Sequence, residues 1–326
     1  MGIQKLRKFF NKMKGRKRIM DDNIEIIGID HGWSSVKTAH TVIVSGVKEM
    51  TTEPALIDNL LEFDGKYYKV GGQRLEVRNT KVEDENYYLL TLAAIGAELR
   101  HRGKSRAKVV LSVGLPLTRF GAEKKDFVTY LSRRKQLNFK YEGRHYTVEI
   151  EKVMVSPQCY AAVVDRISTF KDNPMIIDIG SWTVDIMPII KQLPDEARCK
   201  TLAKGLIKCI REINEELMRS QNGEAPEIYI QDVMINGTSD INEQYLAIIQ
   251  DGLRKFAEKI YNTLKELDCN LSLMPIVFVG GGAVVMKNFG EYHGKNILFI
   301  EDIRANAMGY EYLANLRLHG GSRLVG

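Results

Sequence analysis

The chain is poor in several residue types that would point to particular functions. Four cysteines, Cys159, Cys199, Cys209 and Cys269, are scattered over 326 residues with no C-x-x-C pair. That excludes a disulfide scaffold and a zinc-cysteine site, and it suits a reducing cytoplasm. The six histidines are equally dispersed, so a zinc centre is not expected. No apolar run approaches the roughly 18–20 residues of a membrane span. The N-terminus has no apolar core of a secretory leader, and a cytoplasmic location is expected. Acidic residues are missing from the first 20 positions, which hold eight lysines and arginines. The net charge of +6 is therefore a property of this tail, because the remainder sums to about −2 (6 − 8). The basicity therefore belongs to the tail and is no evidence for a nucleic-acid-binding face on the body. Tryptophan is scarcest of all, with only Trp33 and Trp182.

Those two tryptophans mark what the chain does have. "IEIIGIDHGWSSVKTA", from Ile24, runs from an apolar strand through Asp30 and Gly32 to Ser35-Val36. "MIIDIGSWTVDIMPI", from Met175, repeats the pattern with Asp178, Gly180 and Thr183-Val184. Aligned on the aspartate, the two copies lie 148 positions apart (178 − 30). One such turn is an ordinary β-turn. Two, each closing an apolar strand, suggest a shared task. Gly32 and Gly180 let a ligand approach the backbone. The amides of Trp33 and Trp182 belong to turns that can form an anion nest. Ser34, Ser35, Ser181 and Thr183 add hydroxyls, and Lys37 can place a charge on a phosphate. Asp30 and Asp178 suit the outer shell of a hydrated Mg²⁺. Two such turns facing each other across a cleft would clasp a polyphosphate and its metal.

Around these turns the hydropathy pattern implies an α/β duplication. Residues 1–22 form an appendage, with Ile3, Leu6, Phe10 and Met13 at helical spacing among the basic residues. Hairpins are expected at Asp64-Gly65 and Glu142-Gly143. Helices are expected over 85–100, 121–133, 158–168, 201–220, 241–267 and 305–316. Short buried strands are expected at 109–113, 153–155, 276–279 and 296–300.

In these segments the sequence resembles the actin-like ATPases, over about residues 24–316. "DHGWSSVK" is similar to actin's first phosphate loop and "DIGSWTVD" to its second, with Asp185 typical of plasmid-segregation actins. "IVFVGGGAVVMK" resembles the adenosine motif of the superfamily, and "ANAMGYEYL" its C-terminal helix. "VGLPLTRFGAEKKDFVTYL" and "VSPQCYAAV" resemble the ParM/StbA branch. The resemblance implies two RNase H-like, actin-fold domains flanking a nucleotide cleft, each with a central mixed sheet and flanking helices. Domain I would span 23–170, with helix 303–318 returning to it, and domain II 171–302. ATP or GTP with Mg²⁺ would bind. Gly205, Gly280, Gly281 and Gly282 would face the adenosine. Asp30 and Asp178 would serve the metal and catalysis, and Gln158 would orient the attacking water. His31 and Trp33 depart from the family pattern, and the basic tail has no counterpart in it.

The function implied is an ATP-dependent filament that moves plasmid DNA and disassembles on hydrolysis. Its partners would be further copies of itself and an adaptor protein bound to a plasmid centromere, without direct sequence-specific DNA contact. The alternative is a small-molecule kinase of the same superfamily, which needs an acceptor-activating base; no such motif lies between the two turns. The sequence carries no P-loop, since Glu98 stands where the first glycine before Gly103-Lys104-Ser105 should be. The tail forms a cationic helix that contacts a membrane or DNA surface, or it is a leader preceding a start at Met20, or a disordered solubilising arm.

Overall fold

The computed structural model describes residues 24–76, 80–170, 172–267 and 269–319. The basic segment 1–22 lies outside the described residues. The chain divides into two compact units. The first comprises the residues up to Leu115, then Arg119–Asp165 and the residues from Asn306 onward; the second comprises Pro116–Thr118 and Arg166–Ala305. Both are mixed α/β, each built on one mixed sheet.

The first unit begins with β1 (Ile24–His31), β2 (Ser35–Lys37), β3 (Val42–Val44), β4 (Val47–Met50), β5 (Leu60–Phe63) and β6 (Lys66–Val70). Helix α1 (Asn86–His101), β7 (Arg106–Leu115), α2 (Leu117–Leu131), β8 (Gln136–Tyr141) and β9 (Arg144–Pro157) follow. Its nine strands run in the order β3-β2-β1-β7-β9-β8-β5-β6-β4. Strands β1, β7 and β9 are parallel neighbours, and the flanking pairs are antiparallel. Every residue of β7 from Val109 to Leu115 is buried, as expected of a parallel strand covered on both faces. One cover is α1, buried continuously from Tyr87 to Leu99. The opposite face packs Ile26, Val110 and Met154 against Ala314 of the last helix. Both hairpins form where the sequence signals them. Asp64-Gly65 and Glu142-Gly143 each place two consecutive residues at positive φ, the turn whose twist suits flanking strands.

The second unit contains β10 (Met175–Ile179), β11 (Val184–Ile190), β12 (Leu193–Pro194), β13 (Lys200–Leu202), β14 (Ile276–Val279) and β15 (Ile297–Ile300). They pair in the order β12-β11-β10-β14-β15, with β13 added on β11. Its helices are α3 (Leu206–Gln221), α4 (Glu227–Asn236), α5 (Glu243–Glu266) and α6 (Ala283–Phe289); the last helix of the chain, α7 (Ala305–His319), belongs to the first unit from Asn306 onward. Helix α5 buries Ile249, Leu253, Phe256, Ile260 and Leu264, the three- and four-residue stripe of an amphipathic helix.

The last helix returns to the first unit and lies close on it. A Cβ on Gly114 of β7 would fall 1.9 Å from the Tyr310 hydroxyl, and one on Gly309 would fall 1.9 Å from the Ala161 carbonyl. Ser112 Oγ donates to the Tyr310 carbonyl at 2.7 Å. Only glycines allow the helix to approach so near.

Three expectations need correction. Residues 158–168 are a turn followed by short 3₁₀ segments, Ala161–Val163 and Ile167–Thr169, and not a helix. Cys159 stands at φ 69, which interrupts any helix begun at Gln158. Residues 200–202 pair with β11 as β13, so the following helix starts only after Gly205. Residues 153–155 are the continuation of β9 beyond an irregularity in its register with β7.

Candidate functional site

In the first unit, loop 32–34 joins β1 to β2 at the carboxyl end of the parallel strands, where α/β sheets commonly take ligands. Asp30 and Lys37 are register partners across β1 and β2, and their side chains form an ion pair at 3.2 Å. Both are largely buried, so the lysine expected to serve a phosphate is already held in place by the aspartate. A Cβ on Gly32 would lie 2.7 Å from Lys37 Nζ and 2.6 Å from the Ser35 carbonyl, so this turn requires glycine. Carbonyl oxygens of the loop are taken from below. Ser45 donates its hydroxyl to the Gly32 carbonyl (2.7 Å) and its amide to the Ser34 carbonyl (3.0 Å). The Trp33 and Ser34 amides donate to no backbone carbonyl among the described residues.

His31 points away from this loop into the core. Its Nε2 lies 2.8 Å from the Thr91 hydroxyl, whose own proton goes to the Tyr87 carbonyl at 2.6 Å. Nε2 is therefore the protonated nitrogen. Burial, reinforced by the charge of Lys81, pushes the imidazole down to about 3, so it is neutral at physiological pH. His31 is structural.

Gln158 emerges one residue beyond β9, half-buried, with its amide donating to the Leu115 carbonyl at 2.9 Å. Leu115 pairs with Pro157, and Ile29 pairs with Val113. Gln158 thus stands at the height of loop 32–34, two strands away, a separation of roughly 10 Å from the usual strand spacing. Its turn is fixed from outside by the amide of Cys159, which donates to Asn306 Oδ1 of α7 at 3.0 Å. A left-handed non-glycine residue costs about 1–2 kcal/mol, and such strain persists only where surrounding contacts impose it.

In the second unit, Asp178 and Asp185 face each other across β10 and β11 and are both buried. Register partners share a face, so two carboxylates stand side by side, an arrangement that favours nearby cations and donors. Thr183 and Thr201 direct hydroxyls to Asp185. The carbonyls of loop 180–182 are taken up by the start of α3: Leu206 donates to Gly180 (3.1 Å), Ile207 to Ser181 (2.8 Å) and Gly205 to Trp182 (3.0 Å). With the carbonyls so held, the Ser181, Trp182 and Thr183 amides donate to no backbone carbonyl among the described residues. Gly205 is compelled by contact, since its Cβ would lie 2.5 Å from Trp182 backbone carbon.

The Gly280-Gly281-Gly282 segment ends β14, which runs parallel to β10 with Val279 beside Asp178. Gly280 has φ +79, and its Cβ would lie 2.4 Å from Asp178 Oδ1. Gly282 donates its amide to the Ile179 carbonyl at 2.9 Å. Asp178, Gly180–Thr183, Gly205 and Gly280–Gly282 therefore gather at one end of this sheet. Among the described residues, no three His, Cys, Asp or Glu side chains converge as a metal site.

Sequence reasoning missed Lys81, Tyr87 and Ser45. Lys81 has its ammonium 5.8 Å from the Trp33 ring and 5.9 Å from the Tyr87 ring. The side chain as a whole is half-buried, but the charged end is enclosed by protein, and burial pushes it down to about 8 against the favourable charge of Asp30. No local pattern marks this lysine; only the fold brings it to Trp33.

The architecture is that of the actin fold. Residues 28–160 match the family described as actin like proteins N terminal domain, and the fold over the whole chain is that of actin homologues. One similar structure is that of Ta0583, an archaeal actin homolog, in complex with ADP; it is 21% identical, with a TM-score of 0.67, covering 89% of this chain and 99% of that one. Bacillus thuringiensis ParM with ATP is 16% identical, with a TM-score of 0.68, covering 90% and 99%. The Alp12 filament structure is 16% identical, with a TM-score of 0.65, covering 90% and 98%. A search of curated protein sequences gives no match.

Proposed function

We propose that this chain is a nucleotide-binding actin-like protein that polymerises with ATP and hydrolyses it, and that it segregates plasmid DNA through an adaptor. The observation that carries the reading is the repeated construction. In each unit an apolar strand ends in a buried aspartate and a glycine turn whose carbonyls are tied down and whose amides remain available. Such turns suit phosphate oxygens, which accept from amides and hydroxyls. Gly32, Trp33, Ser34, Ser35 and Lys37 would bind phosphate from the first unit, and Gly180, Ser181, Trp182 and Thr183 from the second. The glycine segment 280–282 and Gly205 present backbone without side chains, which suits a flat base and ribose.

The carboxylates also fit a metal that keeps its waters. Magnesium prefers one or two carboxylates plus phosphate oxygens to a complete protein cage. Asp30, and Asp178 with Asp185 beside it, match that preference better than a converging cluster would. When bound, the ion neutralises phosphate charge. The protein's own contribution is positioning. Lys37 is held ready by Asp30 and can share its charge with an arriving anion. Gln158, fixed by its flanking turn, would orient a water by hydrogen bonding, since an amide is a poor base. The similarity to Bacillus thuringiensis ParM with ATP and to the Alp12 filament supports the nucleotide and polymer parts of the reading.

Light scattering and phosphate release, recorded together after adding ATP and Mg²⁺, test the proposal. Scattering that rises and then falls as phosphate accumulates is expected, with filaments visible by negative stain. Phosphate release without any polymer would eliminate the filament reading, and absence of both would eliminate the nucleotide reading.

A further inference from the structure

A cavity within the first unit adjoins loop 32–34 at Trp33. Its volume is about 420 Å³, within the usual range for small-molecule sites. Trp33 and Tyr87 form an aromatic wall, edge to face at 5.6 Å and 89°. Lys48, Lys69, Arg74 and Lys81 line it, against two carboxylates, Glu76 and Asp84. Lys48 and Lys69 are register partners on β4 and β6, so like charges stand opposite each other, which is unfavourable unless an anion intervenes. The Lys69 ammonium turns to the Asp58 carbonyl. Lys48 and Lys81 form no ion pair among the described residues.

We propose that this cavity binds a small anion carrying a flat apolar ring, and that its occupancy is coupled to loop 32–34. The ring would lie against Trp33 and Tyr87, and the anion between Lys48 and Lys81. The desolvated state of Lys81 agrees with this, because an anion beside it would restore the charge that burial disfavours.

The coupling has a short path. The cavity floor includes Gly71, Gly72 and Leu75. Leu75 donates its amide to the Ser45 carbonyl at 2.7 Å, and Gly71 donates to the Gly46 carbonyl at 2.9 Å. Ser45 is fully buried and is the same residue that holds the Gly32 and Ser34 carbonyls. Floor, Ser45 and loop are thus one hydrogen-bonded series, with Trp33 and Lys81 as a second connection through their ring contact. A ligand that shifts the floor acts on the loop through two routes.

The test uses the full chain and 1-naphthyl phosphate as probe, titrated calorimetrically without nucleotide, so it does not depend on the proposed nucleotide function. Saturable binding is expected. Lys81→Gln should weaken it about tenfold, the loss of one charge-assisted contact. Lys48→Gln should weaken it roughly threefold, since this lysine lies on an exposed strand position. If Lys81→Gln fails to fold, Lys48→Gln alone carries the comparison. Absence of saturation, or unchanged affinity in the folded variants, overturns the site. Strict competition between the probe and Mg-ATP also overturns it, because the probe would then occupy the phosphate loops. Coupling predicts that ATP and probe alter each other's affinity by the same factor; titrations that superimpose with and without the other ligand refute it.

Discussion

Replacing each glycine of the 280–282 segment by alanine should give three different results. Gly280 has φ +79, where a Cβ costs about 1–2 kcal/mol. The new Cβ would also lie 2.4 Å from Asp178 Oδ1 and 2.9 Å from the Ile179 carbonyl. Relieving that overlap moves backbone or a buried carboxylate, at a further 1–3 kcal/mol, roughly the range for overpacked cores. Gly280→Ala should therefore destabilise the second unit by about 2–5 kcal/mol. In Gly282→Ala the Cβ would meet the Ile179 side chain at 2.1 Å without a positive φ, so only the overpacking cost of about 1–3 kcal/mol applies. In Gly281→Ala the nearest atom is a Leu206 methyl at 3.7 Å, an ordinary contact, and stability should change by less than about 0.5 kcal/mol. Urea denaturation monitored by circular dichroism measures the order. ATP affinity supplies the second readout: if the segment faces adenosine, Gly281→Ala should weaken binding while leaving the fold intact. Equal losses of stability at 280 and 281 would refute the steric argument. Unchanged ATP affinity in Gly281→Ala would remove residue 281 from the nucleotide site.

Gln158→Ala should slow phosphate release on the order of 10²–10³-fold, by analogy with losing one transition-state donor. It should still bind ATP and polymerise, and its filaments should outlast those of the wild type; hydrolysis at the wild-type rate would remove Gln158 from the mechanism. Asp178→Ala should weaken Mg-ATP binding and assembly, and wild-type affinity at matched Mg²⁺ would contradict the role given to Asp178. Glu98 is fully buried; burial alone would raise its pKa, but hydrogen bonds from Thr38, His40 and Arg102 hold it below the ordinary value. Its contribution to stability is therefore present above about pH 4.5 and lost as pH falls through the lowered value. Glu98→Gln should flatten that acid-side decline in urea titrations, and a decline as steep as wild type would show that other groups cause it.

The parts of the fold legible in the sequence were those with local causes. Asp64-Gly65 and Glu142-Gly143 signal hairpins because both turn residues must adopt positive φ. The two aspartate–glycine turns were legible because each follows an uninterrupted apolar strand. Helix α4 was missed although Pro226 and Gly237 bracket it, a usual start residue and a usual stop residue of a short helix. The 158–168 segment was misread for a different reason. Its composition permits a helix, and the left-handed Cys159 is imposed by Asn306, far along the chain. Lys81 and Ser45 are equally non-local. Nothing beside them in sequence reveals that one meets Trp33 and the other holds the Gly32 carbonyl.

The return of α7 to the first unit has a consequence for synthesis. The sheet face formed by Ile26, Val110 and Met154 is covered by a helix that lies 140 positions beyond the preceding stretch of that unit (305 − 165). At about 5–20 residues per second, a ribosome needs roughly 7–28 s to cover that distance. Throughout that interval the nascent sheet exposes an apolar face, shaped by Gly114 to receive one particular helix. The second unit is emerging during the same seconds. Until α7 is released, that face is a binding surface for chaperones, and for the equivalent face of a neighbouring nascent chain on the same messenger RNA.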